Sequence, residues 1–362
     1  MIETGGQAEE AGEADRLDRP PPRAAYFNLP QCFGRRFAVF VDTEEEFDWT
    51  RPPTRDQHGT RAGESLPKIQ ARLAAAGVKP VYLVDHPIAT DPRCVATLRD
   101  FLERGECTVG SQLHPWVNPP FEEELTRANS FAGNLPVELE RAKLLHLTNT
   151  IEQAFGRRPI VYRAGRYGVG PNTARLLVEA GYQADVSVRP LHDYSNEGGP
   201  DFSAVEPRPY RLMDGRLLEI PLTAAYTGRL RHMGNKLYPA AARAGRAAGL
   251  LSRTNLLNRV SMTPEGMPLA EAVDAADRLL EDGLTLFSIS FHSPSVEPGH
   301  TPYVRDEADL ARFHAWWDGM LDFFARRGVE PASFDDILTA TQASAAPPPA
   351  LSANTVGPVA QR

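Results

Sequence analysis

The stretch "FAVFVDTEEEFDW", residues 37–49, joins an apolar run of strand length to a cluster of acids. The run at 37–41 contains only aromatic residues, valine and alanine, which is typical of a buried strand. Five carboxylates fall within the seven residues that follow it. Because side chains two residues apart in an extended chain point the same way, Asp42 and Glu44 are predicted to face one pocket while Thr43 faces away. The alternative interpretation is a solvated loop that merely begins after the strand.

Strand-like and helix-like patterns alternate along the rest of the chain. The strand patterns lie at 37–42, 80–84, 107–113, 160–163, 183–187, 217–221 and 285–291. The helical patterns lie at 64–77, 93–104, 137–155, 171–181, 268–282 and 307–327. This alternation is typical of a parallel sheet wound with helices, and the number of strands predicts an α/β barrel. In such a barrel, the side chains that follow the carboxyl ends of the strands line the active site.

Composition and charge exclude several classes of function. The chain has 362 residues, of which 42% are hydrophobic, and carries a net charge of −8, so nucleic acid is not an expected partner. Its three cysteines, Cys32, Cys94 and Cys107, are widely spaced, which indicates neither a disulfide framework nor a cysteine zinc site. We find no apolar run of membrane-spanning length and no signal-peptide pattern, so we expect a cytoplasmic protein without a transmembrane segment.

The two ends of the chain differ in composition from its middle. Residues 1–30 are rich in Gly, Glu and Pro, and residues 343–362 are rich in Pro, Ala and Ser, so both are predicted to be disordered. The barrel domain is expected between them, at 31–342. Within it, residues 226–260 carry seven Arg or Lys residues and no acid, which predicts a basic helical insertion. It could be a solvated helical segment over the barrel, or a surface that contacts an anionic glycan, a lipid-linked sugar or a membrane.

Further polar residues follow other strands of the predicted barrel. His114 and the broad apolar ring of Trp116 follow the third strand, where the aromatic could contact a sugar or fill the core. Arg163 ends the fourth strand and could pair with a buried carboxylate and hold it ionised. His292 ends the last strand, and its side chain suits acid or base work near neutral pH. Each residue has an ordinary structural explanation by itself, but their common location with Asp42 at the carboxyl ends of the strands favours a catalytic site.

These motifs and their order resemble the polysaccharide deacetylase family of the NodB-homology, or carbohydrate esterase family 4, type, and most of all its WalW-like branch. The resemblance covers roughly residues 36–340. It implies a deformed (β/α) barrel that removes N-acetyl, sometimes O-acetyl, groups from sugars with a divalent metal, often zinc. The motifs that carry it are "FVDTEEEFDW", "VGSQLHPWVNPP", "YRAGRYGVGPNT", "LLEIPLT" and "FSISFHSPSVEPGHTPY".

The resemblance also implies catalytic roles at matching positions. Asp42 matches the base that takes a proton from the attacking water, and Arg163 matches the arginine that orients this base. His292 matches the acid that donates a proton to the leaving amine. Tyr167 lies where the family offers a backbone donor to the tetrahedral oxyanion, and Trp116 is expected to contact the substrate.

The metal site matches the family only in part. Glu44 and His114 match two metal ligands, but Gly110 stands four residues before His114, where the family has a second histidine. Glycine has no ligand atom, and the amide of nearby Gln112 binds zinc weakly. A catalytic zinc normally has three protein ligands. The candidates for the third are Glu45, Glu46, Asp48 and His86.

The expected function is metal-dependent hydrolysis of the N-acetyl group of a sugar in a bacterial surface polysaccharide or its precursor. The absence of a signal-peptide pattern favours a cytoplasmic precursor. Two alternatives remain open: the hydrolysis of another small amide on the same barrel, and a non-catalytic glycan-binding barrel that has lost a metal ligand. Gly110 is the feature that favours the second alternative.

Overall fold

The structure, a computed structural model, describes residues 12–56, 58–244 and 246–345. The strands of this part of the chain are β1 (Arg36–Thr43), β2 (Val81–Val84), β3 (Thr108–Leu113), β4 (Val161–Ala164), β5 (Ala184–Asp185), β6 (Tyr210–Leu212), β7 (Leu217–Glu219), β8 (Ala224–Thr227), β9 (Asn258–Ser261), β10 (Leu286–His292) and β11 (Glu330–Pro331). The helices are α1 (Leu66–Ala75), α2 (His86–Thr90), α3 (Pro92–Glu103), α4 (Val137–Phe155), α5 (Thr173–Glu179), α6 (Gly234–Arg243), α7 (Arg246–Arg253), α8 (Leu269–Glu281), α9 (Glu307–Arg326) and α10 (Phe334–Ala345).

The main sheet confirms the predicted α/β fold. Its strands run in the order β10-β1-β2-β3-β4-β5-β7-β6, and all neighbours are parallel except β6, which lies antiparallel at one edge. Seven of its parallel strands are those predicted from the sequence, and the short β11, which was not predicted, also pairs parallel with β1. Between β7 and β10 the ladder is replaced by single bonds, such as that from the Thr223 N–H to the Ser288 carbonyl at 3.1 Å. The barrel is therefore a deformed one.

The alternation of side chains along β1 shows how the fold positions the site. Phe37, Val39 and Val41 belong to the outer core, which contains buried residues of the surrounding helices. Ala38 and Phe40 belong to a second core inside the curled sheet. The same two-residue period places the next inward side chain, Asp42, at the carboxyl end of the strand.

Helix α9 illustrates how the outer layer is anchored. The carboxylate of Asp306 accepts a hydrogen bond from the Asp309 N–H at 2.9 Å and so caps the first turn. Phe313, Trp317 and Phe324 are buried along one stripe of the helix. Their spacing of four and seven residues matches the helical period and was part of the basis of the prediction.

The chain ends differ from the expectation of disorder. Residues 1–11 and 346–362 lie outside the described part, but residues 12–30 pack on the domain, with Leu17 in the outer core and Leu29 in the inner one. Helix α10, which the sequence analysis did not predict, begins before residue 342 and places Phe334 in the inner core. These segments are short and weakly amphipathic, and the residues that they pack against lie far away in sequence.

The predicted basic insertion at 226–260 contains helices α6 and α7 between the paired strands β8 and β9. The antiparallel pairing of those strands returns the chain to the barrel. Leu250 of α7 is 64% exposed, so this segment lies at the surface. Among the helices of the described residues, none has the length and apolar character needed to cross a bilayer.

Candidate active site

The polar strand ends meet in one pocket at the mouth of the barrel, as the carboxyl ends of parallel strands must. The cavity has a volume of about 180 Å³. Every residue that the sequence analysis assigned to catalysis, metal or substrate lines it, namely Asp42, Glu44, His114, Trp116, Arg163, Tyr167 and His292. The structure therefore brings the predicted site residues together.

The β10 side of the pocket carries His292. Its Nδ1 lies 2.7 Å from the Glu265 carboxylate, which also accepts the His292 backbone N–H at 3.1 Å. Its Nε2 faces Asp42 Oδ2 at 3.5 Å, because Asp42 and His292 are paired in register across β1 and β10. Burial lowers the pKa of His292, but the carboxylates of Glu265 and Glu44 outweigh burial and raise it to about 10. The imidazole is therefore protonated at neutral pH.

Asp42 has a second cationic neighbour in Arg163. Arg163 Nε lies 3.5 Å from Asp42 Oδ1, and both side chains are almost fully buried. The guanidinium also lies over the ring of Tyr167, 5.7 Å from its centroid. Within the described residues, none of its three nitrogens has a hydrogen-bond partner. Arg163 thus neutralises Asp42 and keeps donors available at the floor of the pocket.

The β3 side of the pocket carries His114 on a rigid support. Its Nδ1 lies 2.7 Å from the Glu45 carboxylate, whose other oxygen accepts the Trp116 indole N–H at 2.7 Å. Trp116 stacks on the imidazole with the ring centroids 4.3 Å apart. Burial lowers the pKa of His114. With Nδ1–H donating to Glu45, the neutral ring directs the lone pair of Nε2 towards the pocket.

Gln112 lies between His114 and Glu44. Its amide nitrogen is 2.9 Å from Glu44 Oε2 and 3.1 Å from His114 Nε2, so it donates to both. Glu44 Oε1 and Gln112 Oε1 are buried and accept no hydrogen bond within the described part of the chain. Burial raises the pKa of Glu44 to about 8. These unused acceptors form an electron-rich patch on the pocket side of His114.

Two sets of groups could hold a divalent cation. Glu45, Asp85 and His114 place ligand atoms within 4.8 Å of one another. The carboxylate oxygens of Glu45 and Asp85, however, already accept hydrogen bonds from Trp116, His114 and backbone N–H groups. We favour the pocket side, where, among the described residues, Glu44 has an unpartnered oxygen and the lone pair of His114 Nε2 accepts only from the side-chain amide of Gln112. Glu45 then has the position of the carboxylate that orients a metal-binding histidine.

The structure changes the prediction that Gly110 is the position of the missing metal ligand. A Cβ atom at this position would lie 2.8 Å from Leu83 Cδ2 and 2.8 Å from the Val161 carbonyl oxygen, so any side chain here would require the strands to shift. Gly110, Gln112 and His114 share one face of the chain because they are two residues apart. Gln112, one step nearer the mouth, contacts Glu44 and His114. The position that lacks a ligand is therefore that of Gln112.

The other suggested third ligands lie elsewhere. The Glu46 carboxylate accepts the Ala62 N–H at 2.6 Å, and Asp48 is exposed. His86 begins α2 and packs beside His146, 5.3 Å away. These two acids and this histidine do not line the pocket.

Sequence reasoning missed Glu265 and the aromatic wall of the pocket. Glu265 follows β9 in a Pro/Gly loop and lies 27 residues before His292, too far for a local pattern to connect the two. Trp49 lies edge-on to His292 with the ring centroids 4.9 Å apart, and Tyr303 lies 5.7 Å beyond it. Trp116 is only 2% exposed, so the partly open aromatic surface belongs to Trp49 and Tyr303.

The loop after β4 has an unusual backbone. Arg166 and Tyr167 have φ angles of 55° and 61°, both in the left-handed region that bulky side chains seldom adopt. Such strain is concentrated at functional sites, where the surrounding structure holds it. This loop lines the pocket beside Arg163, whose guanidinium lies over the Tyr167 ring.

Comparison with known proteins bears on the fold. No model of a known protein family matches the chain, and no curated protein matches it. A crystal structure named provisionally as a polysaccharide deacetylase from Mycobacterium smegmatis matches with a TM-score of 0.51 at 18% identity, over 92% of this chain and 98% of that one. This chain has a polysaccharide deacetylase fold. The resemblance in the sequence is thereby confirmed at the level of the fold.

Two further structures are similar. One is named provisionally as a polysaccharide deacetylase from Pseudomonas aeruginosa, with a TM-score of 0.46 at 15% identity over 86% of this chain and 92% of that one. The other is an allantoinase, with a TM-score of 0.48 at 13% identity over 86% of this chain and 91% of that one. The fold assignment rests on the first comparison alone.

Proposed function

We propose that this protein hydrolyses the N-acetyl group of an acetylated sugar with a divalent cation held by Glu44 and His114. The observation that carries the proposal is the meeting of Asp42 and His292, 3.5 Å apart at the barrel mouth, each held by a buried partner of opposite charge. A carboxylate beside a protonated imidazole provides the base and the acid that amide hydrolysis needs. The fold, shared with a provisionally named deacetylase, supports this reaction class.

The two groups have complementary tasks. Asp42 accepts the proton of the attacking water, while Arg163 holds its carboxylate in place. His292 donates its Nε2 proton to the leaving amine nitrogen, a role supported by the carboxylates of Glu265 and Glu44, which raise the pKa of this imidazole. The Tyr167 backbone N–H is proposed to donate to the oxyanion that forms at the acetyl carbon.

The cation site fits the acceptors on the β3 side. Glu44 and His114 hold the ion, and Glu45 with Trp116 fixes the ring of His114. Zinc is the cation proposed, since imidazole and carboxylate ligands both suit it. When bound, such a cation lowers the pKa of water and polarises a carbonyl.

The substrate is proposed to be an N-acetylated sugar of a bacterial surface polysaccharide or its precursor. The partly exposed rings of Trp49 and Tyr303 offer a face for a sugar ring beside His292, and buried Trp116 closes the wall behind His114. The indole N–H of Trp49 is buried and has no partner among the described residues, so it is a donor for a sugar hydroxyl. A cytoplasmic location remains a prediction from the sequence.

Substitution of the acid and the base tests the proposal. Asp42→Asn and His292→Ala are each expected to lower acetate release from N-acetylglucosamine oligomers about a thousandfold, with circular dichroism unchanged. The matched control is Asp48→Asn, an exposed acid of the same cluster, which should keep its activity. Full activity of both site variants would overturn the proposal.

A second candidate is a non-catalytic glycan-binding protein. The observation that favours it is the Gln112 amide, which donates to both Glu44 and His114 and so satisfies them as a cation would. Metal analysis of the purified protein, with acetate release measured before and after chelation, separates the two functions. Bound metal and activity lost on chelation support the hydrolase; no metal, no activity and retained glycan binding support the second candidate.

A further inference from the structure

Arg189 is a cation of the pocket that the proposed reaction does not use. It follows β5 and lines both the main cavity and a smaller one of about 40 Å³ beside it. Its guanidinium donates to the Tyr194 hydroxyl at 3.1 Å and to the Ser261 hydroxyl at 3.4 Å. It also lies over the ring of Tyr167, 5.1 Å from the centroid. All of these partners are neutral.

The other cations of the pocket have carboxylate partners. Arg163 pairs with Asp42, and His292 pairs with Glu265. Arg166 pairs with Glu197. Arg189, in contrast, makes no ion pair within the described residues. A guanidinium held in a cleft without a counter-charge costs free energy unless a ligand supplies that charge.

The smaller cavity has the character of an anion site. Beside Arg189 it is lined by hydroxyl groups, which can donate to an oxyanion. Glu265, an acid that also lines this cavity, accepts hydrogen bonds from His292 and Ser295 and forms an ion pair with His292. The hydroxyl-bearing residues that line this cavity are Tyr167, Thr223, Ser261, Thr263, Ser290 and Tyr303.

We propose that Arg189 binds an anionic group, a carboxylate or a phosphate, on the sugar whose acetyl group enters the main pocket. This inference rests on the proposed function and narrows its substrate to an acidic N-acetylated sugar. The planar guanidinium suits both groups because it can donate two parallel hydrogen bonds to one oxyanion. His292 lines both cavities, so the charged group lies next to the reacting end of the sugar.

Calorimetric binding of three probes tests the inference without requiring hydrolysis. They are neutral N-acetylglucosamine, N-acetylmuramic acid with a carboxylate, and N-acetylglucosamine 1-phosphate. The wild-type protein should bind at least one charged probe about tenfold to a hundredfold more tightly than the neutral one. Whichever charged probe binds more tightly distinguishes the carboxylate from the phosphate. Arg189→Gln should reduce this preference to within about twofold, and Arg189→Lys should retain part of it.

The matched control is Arg166→Gln, which removes a cation of the same pocket that is already paired with Glu197. Its preference for the charged probe should equal that of the wild type. Thermal unfolding with inorganic phosphate gives a second readout: phosphate should raise Tm in the wild type and not in Arg189→Gln. Equal binding of all probes with no Arg189-dependent response to phosphate would overturn the inference, as would an unchanged preference in folded Arg189→Gln.

Acetate release from the same probes separates this inference from the proposed function. Charge-dependent binding without any acetate release would contradict the deacetylase and leave the anion site standing. Equal acetate release from neutral and charged probes, insensitive to Arg189→Gln, would contradict the anion site and leave the deacetylase standing.

Discussion

Each of the two walls of the pocket carries a histidine paired with a glutamate, but the two histidines differ in the direction of their pKa shift. On the β3 wall, Nδ1 of His114 lies 2.7 Å from Glu45; on the β10 wall, Nδ1 of His292 lies 2.7 Å from Glu265. Yet the pKa of His114 is lowered, whereas that of His292 is raised to about 10. One histidine is a neutral electron-pair donor and the other a charged proton donor.

The number of nearby carboxylates does not explain the difference, since three of them raise the pKa of each histidine; the balance between burial and these charges does. His114 is 2% exposed and stacked under Trp116, and burial raises the pKa of its partner Glu45, which weakens the negative charge beside the ring. His292 lies at the pocket mouth and is influenced by Glu265, Glu44 and Asp42 together. A histidine–glutamate pair therefore has no chemical role until its surroundings are known.

Exchanging the two histidines for glutamine is expected to have the largest effect. His292→Gln should lower acetate release about a thousandfold while Zn²⁺ affinity stays within about twofold of the wild type, since only the proton donor is lost. His114→Gln should weaken Zn²⁺ binding about a hundredfold, and excess Zn²⁺ should restore part of the activity. Calorimetric Zn²⁺ titration and acetate release measure the two effects. The same pattern of losses in both variants would break the comparison.

The pH profile of Glu265→Gln tests the origin of the charge on His292. In the wild type, the proton donor is lost only as the pH rises through about 10, so the alkaline limb of kcat should lie there. Without the Glu265 charge, the pKa of His292 should fall, so activity at pH 8 should drop about tenfold for each unit by which this pKa falls below 8. Glu45→Gln on the other wall is the control. An alkaline limb that does not move in Glu265→Gln would contradict this explanation.

Gln112→His should complete the cation site of the β3 wall. A third imidazole or carboxylate ligand strengthens zinc binding, so affinity should rise about tenfold to a hundredfold. Gln112→Glu, which supplies an oxygen ligand at the same position, should also strengthen binding, whereas the control Gln112→Leu supplies no ligand atom. Zn²⁺ titration gives the result directly. If Gln112→His binds Zn²⁺ no better than the wild type, the ion is not held beside Glu44 and His114.

Gly110→Ala is expected to have the smallest effect, and on stability alone. Its Cβ would lie 2.8 Å from the Val161 carbonyl oxygen, so the strands must shift at a cost of about 1–3 kcal/mol in the free energy of unfolding. Zn²⁺ affinity should not change, because this position lies below the site. Chemical denaturation measures the cost. Unchanged stability combined with altered Zn²⁺ binding would show that Gly110, and not only Gln112, lies at the metal site.

Much of the fold was predictable from the sequence. The seven parallel strands and the long helices have strong local periodicity, which does not depend on their neighbours. Strand β6, helix α10 and the packing of residues 12–30 were not predicted. They are short or weakly patterned, and they are stabilised by contacts with the sheet, such as Leu29 and Phe334 inside the barrel.

The sequence by itself determined which side chains would meet. The two-residue period of β1 directs Asp42 inward, and the common direction of parallel strands brings His114, Arg163 and His292 to the same edge. Only the tertiary structure decided what each of them can do. It placed Gln112 rather than Gly110 beside Glu44, brought Glu265 to His292 and, among the described residues, gave Arg189 only neutral partners. The physical reason is that protonation and ligand binding depend on burial and on charges a few ångströms away, which belong to distant parts of the chain.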